Sequence, residues 1–212
     1  MRLSNFARDL LVQRRPLDPE NLGDEVRDVT FGVMDEADIP ICMSLYRANE
    51  DPHFPAGFAP RYEATLRSGR LLNLVARRNG EPVGCGGLTI GRQGVPLFCF
   101  GMVDPARQRQ GIGTALFLAR LSLCAPVDGW LTIRLNAVPN AVGFFRRFGV
   151  FFTQAAVCHY GLFHSRGTLH VRAAEIAACR DVLAARRIHL PDVSGGIPGA
   201  DPTGPSAASP RP

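Results

Sequence analysis

Apolar residues recur along this chain at two spacings, every second position and every third or fourth, and the changes between them delimit its elements. Residues 4–14 set Phe6, Leu10 and Leu11 on one helical face behind Ser4, a residue type that caps helix starts, so a short amphipathic helix is expected there. Pro16, Pro19 and Gly23 among charged neighbours make residues 15–27 a linker. The run VTFGVM at 29–34 predicts a strand. Residues 35–50 predict a helix whose acids Asp35, Glu36 and Asp38 suit the positive end of its dipole and whose Pro40 fits the first turn. Three prolines and a glycine make residues 51–60 an irregular loop ahead of a second short helix near 60–68.

Asn79-Gly80 separates the apolar runs at 71–78 and 82–90, the pattern of a tight hairpin, and VPLFCFGMV at 95–103 is a third strand. A helix from about Gly111 to Cys124 carries Ile112, Leu116, Ala119 and Leu123 on one face. A strand at 130–136, a short helix at 140–149 closed by Gly149, and one further strand over 150–163 follow. Antiparallel neighbours followed by a strand–helix–strand crossover predict a mixed α/β fold, a mostly antiparallel central sheet flanked by helices. An alanine-rich helix is expected over 173–188, and from Pro191 six prolines, four glycines and few bulky apolar side chains predict a disordered tail. The chain thus divides into an arm and linker at 1–27, a domain at 28–172, a C-terminal helical segment at 173–190 and a tail at 191–212.

With 46% apolar and 20% charged residues over 212 positions, the chain can bury one full core. A net charge of +5 is modest at this length, and no basic block is interleaved with aromatics, so nucleic acid is not the expected partner. All 24 basic residues are arginine, which excludes a lysine nucleophile or Schiff base. The six cysteines form no CxxC pair and mostly sit among apolar neighbours, so buried thiols are expected rather than disulfides or a metal site. Asp9 and the arginines around it interrupt the apolar stripe of the first residues, so no secretory signal is expected. No run approaches the ~18 apolar residues of a membrane span, and the expectation is a cytoplasmic protein with no membrane partner.

The chemistry concentrates where a strand ends at Val103 and, after seven intervening residues, a helix opens with Gly111-Ile112-Gly113. Glycines at a helix start let the backbone approach a guest closely, and unpaired amides at the positive end of the dipole suit phosphate oxygens. Arg107 and Arg109 add charge to the loop and Thr114 a hydroxyl. A P-loop is excluded by the absence of lysine, and a dinucleotide fingerprint by Leu116 at its third glycine and by the seven-residue loop. Val103, Pro105, Gln108, Gly111 and Gly113 instead stand in an order that resembles the pyrophosphate-binding motif of the GNAT acetyltransferase superfamily. Downstream, NAVPNAVGFFRRFGV at 136–150 resembles that family's asparagine turn, short helix and aromatic-x-x-x-glycine ending.

The resemblance implies a GNAT-like acyl-CoA N-acyltransferase fold in which the strand at Val103 splays from the strand at 130–136. Met102 and Val103 would offer backbone groups to the pantetheine arm of acetyl-CoA. The amides of Gln108, Arg109, Gln110, Gly111, Ile112, Gly113 and Thr114 would hold the pyrophosphate, and Asn140 would approach the arm, although the family's usual asparagine falls at Val138. An amide near Val103 would polarise the thioester carbonyl. Many relatives place a tyrosine acid where this chain has Phe145, and a glutamate base on the strand that here reads LFCFGM. Tyr160 and His159 are the substitute acids, and Glu50, Asp51, His53 and Glu63 the candidate bases.

The expected function is acetyl transfer from acetyl-CoA to a primary amine of a small molecule or peptide, with no metal. The alternative is a non-catalytic acyl-CoA-binding sensor or interaction module. Phe54 and Phe58 would cover a hydrophobic acceptor pocket or serve as core, and Ile176 and Leu183 on the last helix would complete the core or form a homodimer contact.

Overall fold

A computed structural model describes residues 17–19, 26–54, 57–91, 94–159, 162–193 and 196–198. The helix expected at 4–14 lies outside them. Of the linker, Leu17 and Val26 are buried in the core, and the Leu17 amide donates to Glu175 Oε1 at 3.0 Å.

In chain order the elements are β1 (Val29–Val33), α1 (Ile39–Ala48), α2 (Glu50–His53), α3 (Ala59–Arg67), β2 (Leu72–Arg78), β3 (Glu81–Ile90), β4 (Pro96–Val103), α4 (Ile112–Ser122), β5 (Trp130–Ala137), α5 (Val142–Arg146), β6 (Phe151–His159), β7 (Leu162–Arg172) and α6 (Ala173–Ala185). The strands form one sheet in the order β1-β2-β3-β4-β5-β7-β6, with β4–β5 as its parallel pair. This is the mixed, mostly antiparallel architecture expected from the sequence.

Local chemistry explains several boundaries. Asp35 caps a 3-10 turn at 36–38, where its Oδ1 accepts from the Asp38 amide at 3.1 Å, and α1 starts only after it, with Pro40 in its first turn. Asn79 and Gly80 both take positive φ, 54° and 83°, as a two-residue hairpin between β2 and β3 requires.

The two sheet faces bury different residues because side chains alternate along a strand. Leu74 and Ala76 of β2 join β5, β7, α4 and α6 in the larger cluster, whereas Val75 joins α1, α3, Cys85 and Met102 in the smaller one. Every residue from Thr114 to Ser122 of α4 is buried, so this helix lacks the solvent face that a single apolar stripe had implied. Ile176 and Leu183 of α6 are core residues.

Two expectations change. Residues 150–163 were expected to form one strand, but the chain turns back after His159 and β7 inserts between β5 and β6. From Ser165 to Val171 only Leu169 and Val171 are bulky among the inward positions, while His164, Arg166, Thr168, His170 and Arg172 alternate with them, so the apolar signal there is sparse. Gly167 also faces inward, and a Cβ there would stand 2.7 Å from Val150 Cγ1, 2.9 Å from Phe152 Cε1 and 3.0 Å from Leu135 Cδ1. Gly167→Ala is therefore expected to lower stability by about 1–3 kcal/mol, read from the urea midpoint.

The second change is at the C-terminal end. The last helix stops at Ala185, and the following residues run beside β1, where Phe31 N donates to His189 O at 2.8 Å and His189 N to Val29 O at 3.0 Å. This covers an otherwise open sheet edge. Of the tail expected to be disordered, residues 191–193 and 196–198 are described: Val193 and Ile197 pack on the larger cluster, and Pro198 O accepts from the Ile90 amide and Thr89 Oγ1. The rest of it lies outside the described residues. Among those described, no helix is long and apolar enough to cross a membrane.

Candidate active site

The sheet opens between β4 and β5. Among the described residues these strands pair only at Leu97↔Arg134 and Phe98↔Leu135, and Cys99–Val103 has no strand partner on that side. The cause lies in β4, whose register on β3 passes from Gly87↔Cys99 to Cys85↔Met102, so that Gly86 faces both Phe100 and Gly101. The extra residue is a β-bulge, which bends its strand, and Phe100 sits at φ 49°, an unusual conformation for an aromatic residue. Beyond the bulge, the Asp104 amide donates to Val83 O at 3.0 Å. That bond sets the phase of the antiparallel ladder: Met102 bonds to Cys85, and Val103 turns its amide and carbonyl away from β3 toward the opening. Of the two residues expected to offer backbone groups to the pantetheine arm, Val103 has its peptide group turned to the opening, whereas Met102 bonds within the sheet and buries its side chain in the smaller cluster.

The loop after Val103 is built to end in bare amides. Asp104 Oδ1 accepts from the Ala106 amide at 3.0 Å and starts a 3-10 turn at Pro105–Arg107. The backbone then takes positive φ at Arg109, 64°, and at Gly111, 76°. Gly111 is the N-cap of α4 and has no side chain to cap it, so the amides of Ile112, Gly113 and Thr114 point out of the helix start without intrahelical acceptors. A Cβ at Gly113 would lie 3.7 Å from Val103 Cγ2 and 3.8 Å from the Phe144 ring, which places Gly113 at the rim of the opening. Arg107 and Arg109 are exposed around it, and Gln110 Oε1 accepts from Arg78 Nη1 at 3.3 Å.

Val103 O receives two side-chain donors, Asn49 Nδ2 at 3.2 Å and Gln108 Nε2 at 3.4 Å, and Gln108 also donates to Asn49 Oδ1 at 3.3 Å. Asn49 follows α1, is 7% exposed, and is held by a second bond to Leu45 O. The end of α1 is thereby tied to the exit of β4. Glu50, the next residue, accepts from Tyr46 Oη at 3.3 Å. Burial first, and Glu50 second, push the Tyr46 phenol up to about 12. Around this pair stand Phe54, 4.7 Å from the Tyr46 ring, Tyr62 stacked at 5.1 Å and Phe58 at 6.5 Å, with Phe100 4.9 Å from the Tyr62 ring and stacked on Phe58.

Arg120 lies at the root of the opening and is 3% exposed. Its Nε donates to Leu116 O, its Nη1 to Gly87 O and Cys99 O, and its guanidinium sits 4.7 Å from the Phe98 ring centroid. Glycines make the room: a Cβ at Gly86 would fall 3.3 Å from Nη1 and one at Gly101 3.1 Å from Nη2. No carboxylate pairs with it among the described residues, and burial lowers its pKa from 12.5 to about 10. That lowering corresponds to a cost of about 3 kcal/mol for keeping the charge in place. Arg120→Met keeps most of the stem and removes the charge, so stability is expected to hold or to rise by up to about 3 kcal/mol in urea unfolding. A fall of that size would show that the carbonyl bonds outweigh the desolvation.

The remaining expected residues separate. Glu63 belongs to an exposed ion-pair group, 3.0 Å from Arg67, which also holds Glu36 at 2.6 Å. Asp51 is exposed on α2. Asn140 is exposed in a 3-10 turn ahead of α5, and Phe145 packs edge-on against Phe117 at 5.7 Å while its neighbour Phe144 borders the opening. His159 ends β6 with its side chain outside the described residues, as is that of His53, and Tyr160 lies outside them altogether. Cys42, Cys85, Cys124 and Cys179 are buried free thiols and Cys99 is half-buried. Burial pushes Cys99, Cys124 and Cys179 up to about 12, which keeps them protonated and poor nucleophiles. Among the described residues no group of side chains could hold a metal ion.

Sequence reasoning missed Tyr46, Asn49 and Arg120. Arg120 left a readable signal, a charge inside the apolar run ALFLARLSL. Nothing local distinguishes Asn49 from any polar residue at a helix end.

The model of the acetyltransferase (GNAT) domain family matches residues 50–166, more than half of the chain. No curated protein matches. Among solved structures, a GNAT-family acetyltransferase from Staphylococcus aureus Mu50 superposes with TM-score 0.54 at 13% identity, covering 68% of this chain and 99% of that one. Ard1 from Thermoplasma volcanium gives 0.53 at 17%, covering 68% and 98%. A candidate acetyltransferase from Pyrococcus horikoshii gives 0.49 at 22%, and there the alignment takes in 60% of this chain but only 45% of the other. At these identities the two superpositions above 0.5 speak for the fold, and the family model for the family: the chain belongs to the GNAT acetyltransferases.

Proposed function

We propose that this acetyltransferase moves the acetyl group of acetyl-CoA to a primary amine of a small molecule or peptide, by direct transfer in a ternary complex at the opening beside Val103. The observation that carries the reading is the continuity of three features: bare amides at the α4 start, the outward peptide group of Val103, and the Glu50–Tyr46 pair tied to Val103 through Asn49. The residues present fit the cosubstrate. Only a hydrogen at Gly113 stands between the helix start and the rim formed by Val103 and Phe144, as close approach of a pantetheine arm requires. The amides from Gln108 to Thr114, Arg109, Gln110, Gly111, Ile112 and Gly113 included, hold the pyrophosphate with charge from Arg107 and Arg109, and Asn140 stands beside the arm.

When bound, acetyl-CoA supplies an activated acyl group and a thiol leaving group; the chain supplies position and charge. The Val103 amide donates to the thioester oxygen, where negative charge develops on attack. Asn49 and Gln108 hold the carbonyl of the same residue and so fix the aim of the exit of β4. Glu50 takes the proton of the attacking amine, directly or through water, and Tyr46 orients it. Phe145 offers no proton, yet an alkyl thiol with a pKa of about 8.5 leaves tolerably unaided. His159 and Tyr160 are the remaining acid candidates. No metal is required.

The reading is tested by thiol release from acetyl-CoA across a panel of primary amines and peptides. It requires turnover with at least one of them. Saturable acetyl-CoA binding without turnover anywhere would return the chain to a non-catalytic acyl-CoA-binding module.

A further inference from the structure

Between Asp128 and Glu175 the chain contains no acidic residue, but it contains Arg134, Arg146, Arg147, Arg166 and Arg172 and His159, His164 and His170. The sheet gathers part of this excess on one face. Residues directly opposite in an antiparallel ladder share a face, and the pairs Trp130↔Arg172, Thr132↔His170, Arg134↔Thr168 and Asn136↔Arg166 follow one another along β5 and β7. Their strand neighbours Leu131, Ile133, Leu135, Leu169 and Val171 are buried under α4 and α6, so these pairs look the other way. On that side α1 and α3 cover β2–β4, whereas Arg134, Asn136, Arg166 and Arg172 remain exposed, as does Phe151, opposite Thr168, at 56%. Arg172 lies on the Trp130 ring at 5.3 Å, and Thr132 Oγ1 and His170 Nδ1 are 2.9 Å apart. Among the described residues no carboxylate pairs with Arg134 or Arg166.

This face adjoins the chemistry proposed above. Leu97 of β4 pairs with Arg134 one rung before the last pair, Phe98↔Leu135, beyond which the sheet opens, and Tyr46, Phe100 and Met102 belong to the cluster on the same side of the sheet. The bare amides of α4 lie on the opposite side. An acceptor therefore meets Val103 from the basic face, bounded by the aromatic residues Phe54, Phe58 and Phe100.

We infer that the open face of β5 and β7 docks an acidic polypeptide, whose amine is the acceptor. This rests on the transferase reading for the position of the amine. Three arguments select the occupant. Among the described residues the face presents Arg134 and Arg166 without a carboxylate partner, so an anionic partner is favoured on approach and register. From Arg166 to Arg172 the cations extend along six residues of strand, about 20 Å, longer than a small metabolite and matched to an extended chain. Nucleic acid would answer the charge but brings no alkyl amine for the transfer.

The test is fluorescence anisotropy of the full chain with labelled peptides of equal length whose charged positions are glutamate, arginine or serine, beside a single-stranded RNA. The expected result is binding of the glutamate peptide at least about tenfold tighter than the other two and than the RNA, weakening with salt, and loss of that preference in Arg134→Glu/Arg166→Glu. Equal binding of the peptides, no peptide binding, or a preference that survives the double substitution overturns the inference, and tighter RNA binding assigns the face to nucleic acid instead. Titration of the same proteins with acetyl-CoA separates the two readings. Thioester binding without peptide preference sinks the docking face alone; peptide preference without thioester binding keeps the face and sinks the transferase.

Discussion

Gly113→Trp is expected to weaken acetyl-CoA binding by at least about a hundredfold while leaving the fold intact, a loss of about 2.7 kcal/mol. The direction follows from where a side chain at this position must go. The helix below Gly113 is buried from Thr114 onward, and the modest space beside its Cβ is bounded by Val103 Cγ2 and the Phe144 ring, so an indole is forced out into the opening. There it covers the amides that would face the pyrophosphate and fills the gap beside Val103. Hydrogen bonds to a charged group contribute about 1.5–3 kcal/mol each, so losing one or two accounts for the predicted factor. Titration calorimetry gives the affinity and circular dichroism the fold. Unchanged affinity in a folded variant would mean that the glycine-led helix start has only a structural part.

The second large effect is at Glu50. Glu50→Gln keeps the size and the partner oxygen for Tyr46 Oη but removes the base, and turnover is expected to fall about a hundredfold or more at unchanged acetyl-CoA affinity. Glu63→Gln is the comparison, because Glu63 is occupied in a surface ion-pair group and its loss is expected to leave turnover within about twofold. If Glu50→Gln turned over normally, the proton would have to leave through another group, and the tie from Asn49 to Val103 would be only a structural brace.

How far the sequence revealed this arrangement depended on whether the signal was local. The β2–β3 hairpin was legible because Asn79-Gly80 admits the positive φ at both turn positions. The α4 start was legible because Gly111 and Gly113 follow Val103 and Pro105 at a recognisable spacing. β7 was not: from Ser165 to Val171 its inward positions are Ser165, Gly167 and two bulky apolar residues, and its place between β5 and β6 is settled by packing against Leu135, Val150 and Phe152 rather than by its own pattern. The break in pairing beyond Phe98 was likewise invisible, since a bulge at Phe100 and Gly101 depends on how many residues face Gly86 across the strands. The candidate bases illustrate the same limit. Glu50 and Glu63 are equivalent in sequence, and only the fold ties one beside the exit of β4 and the other to Arg67 at the surface.

The acetyl transfer proposed for this chain depends on the opening between β4 and β5 receiving acetyl-CoA. The most direct measurement is isothermal titration of the full chain with acetyl-CoA. Saturable binding of one equivalent per chain is expected. No detectable binding by a folded protein would contradict it, and the amides at the head of α4 would then have to be assigned to the fold alone.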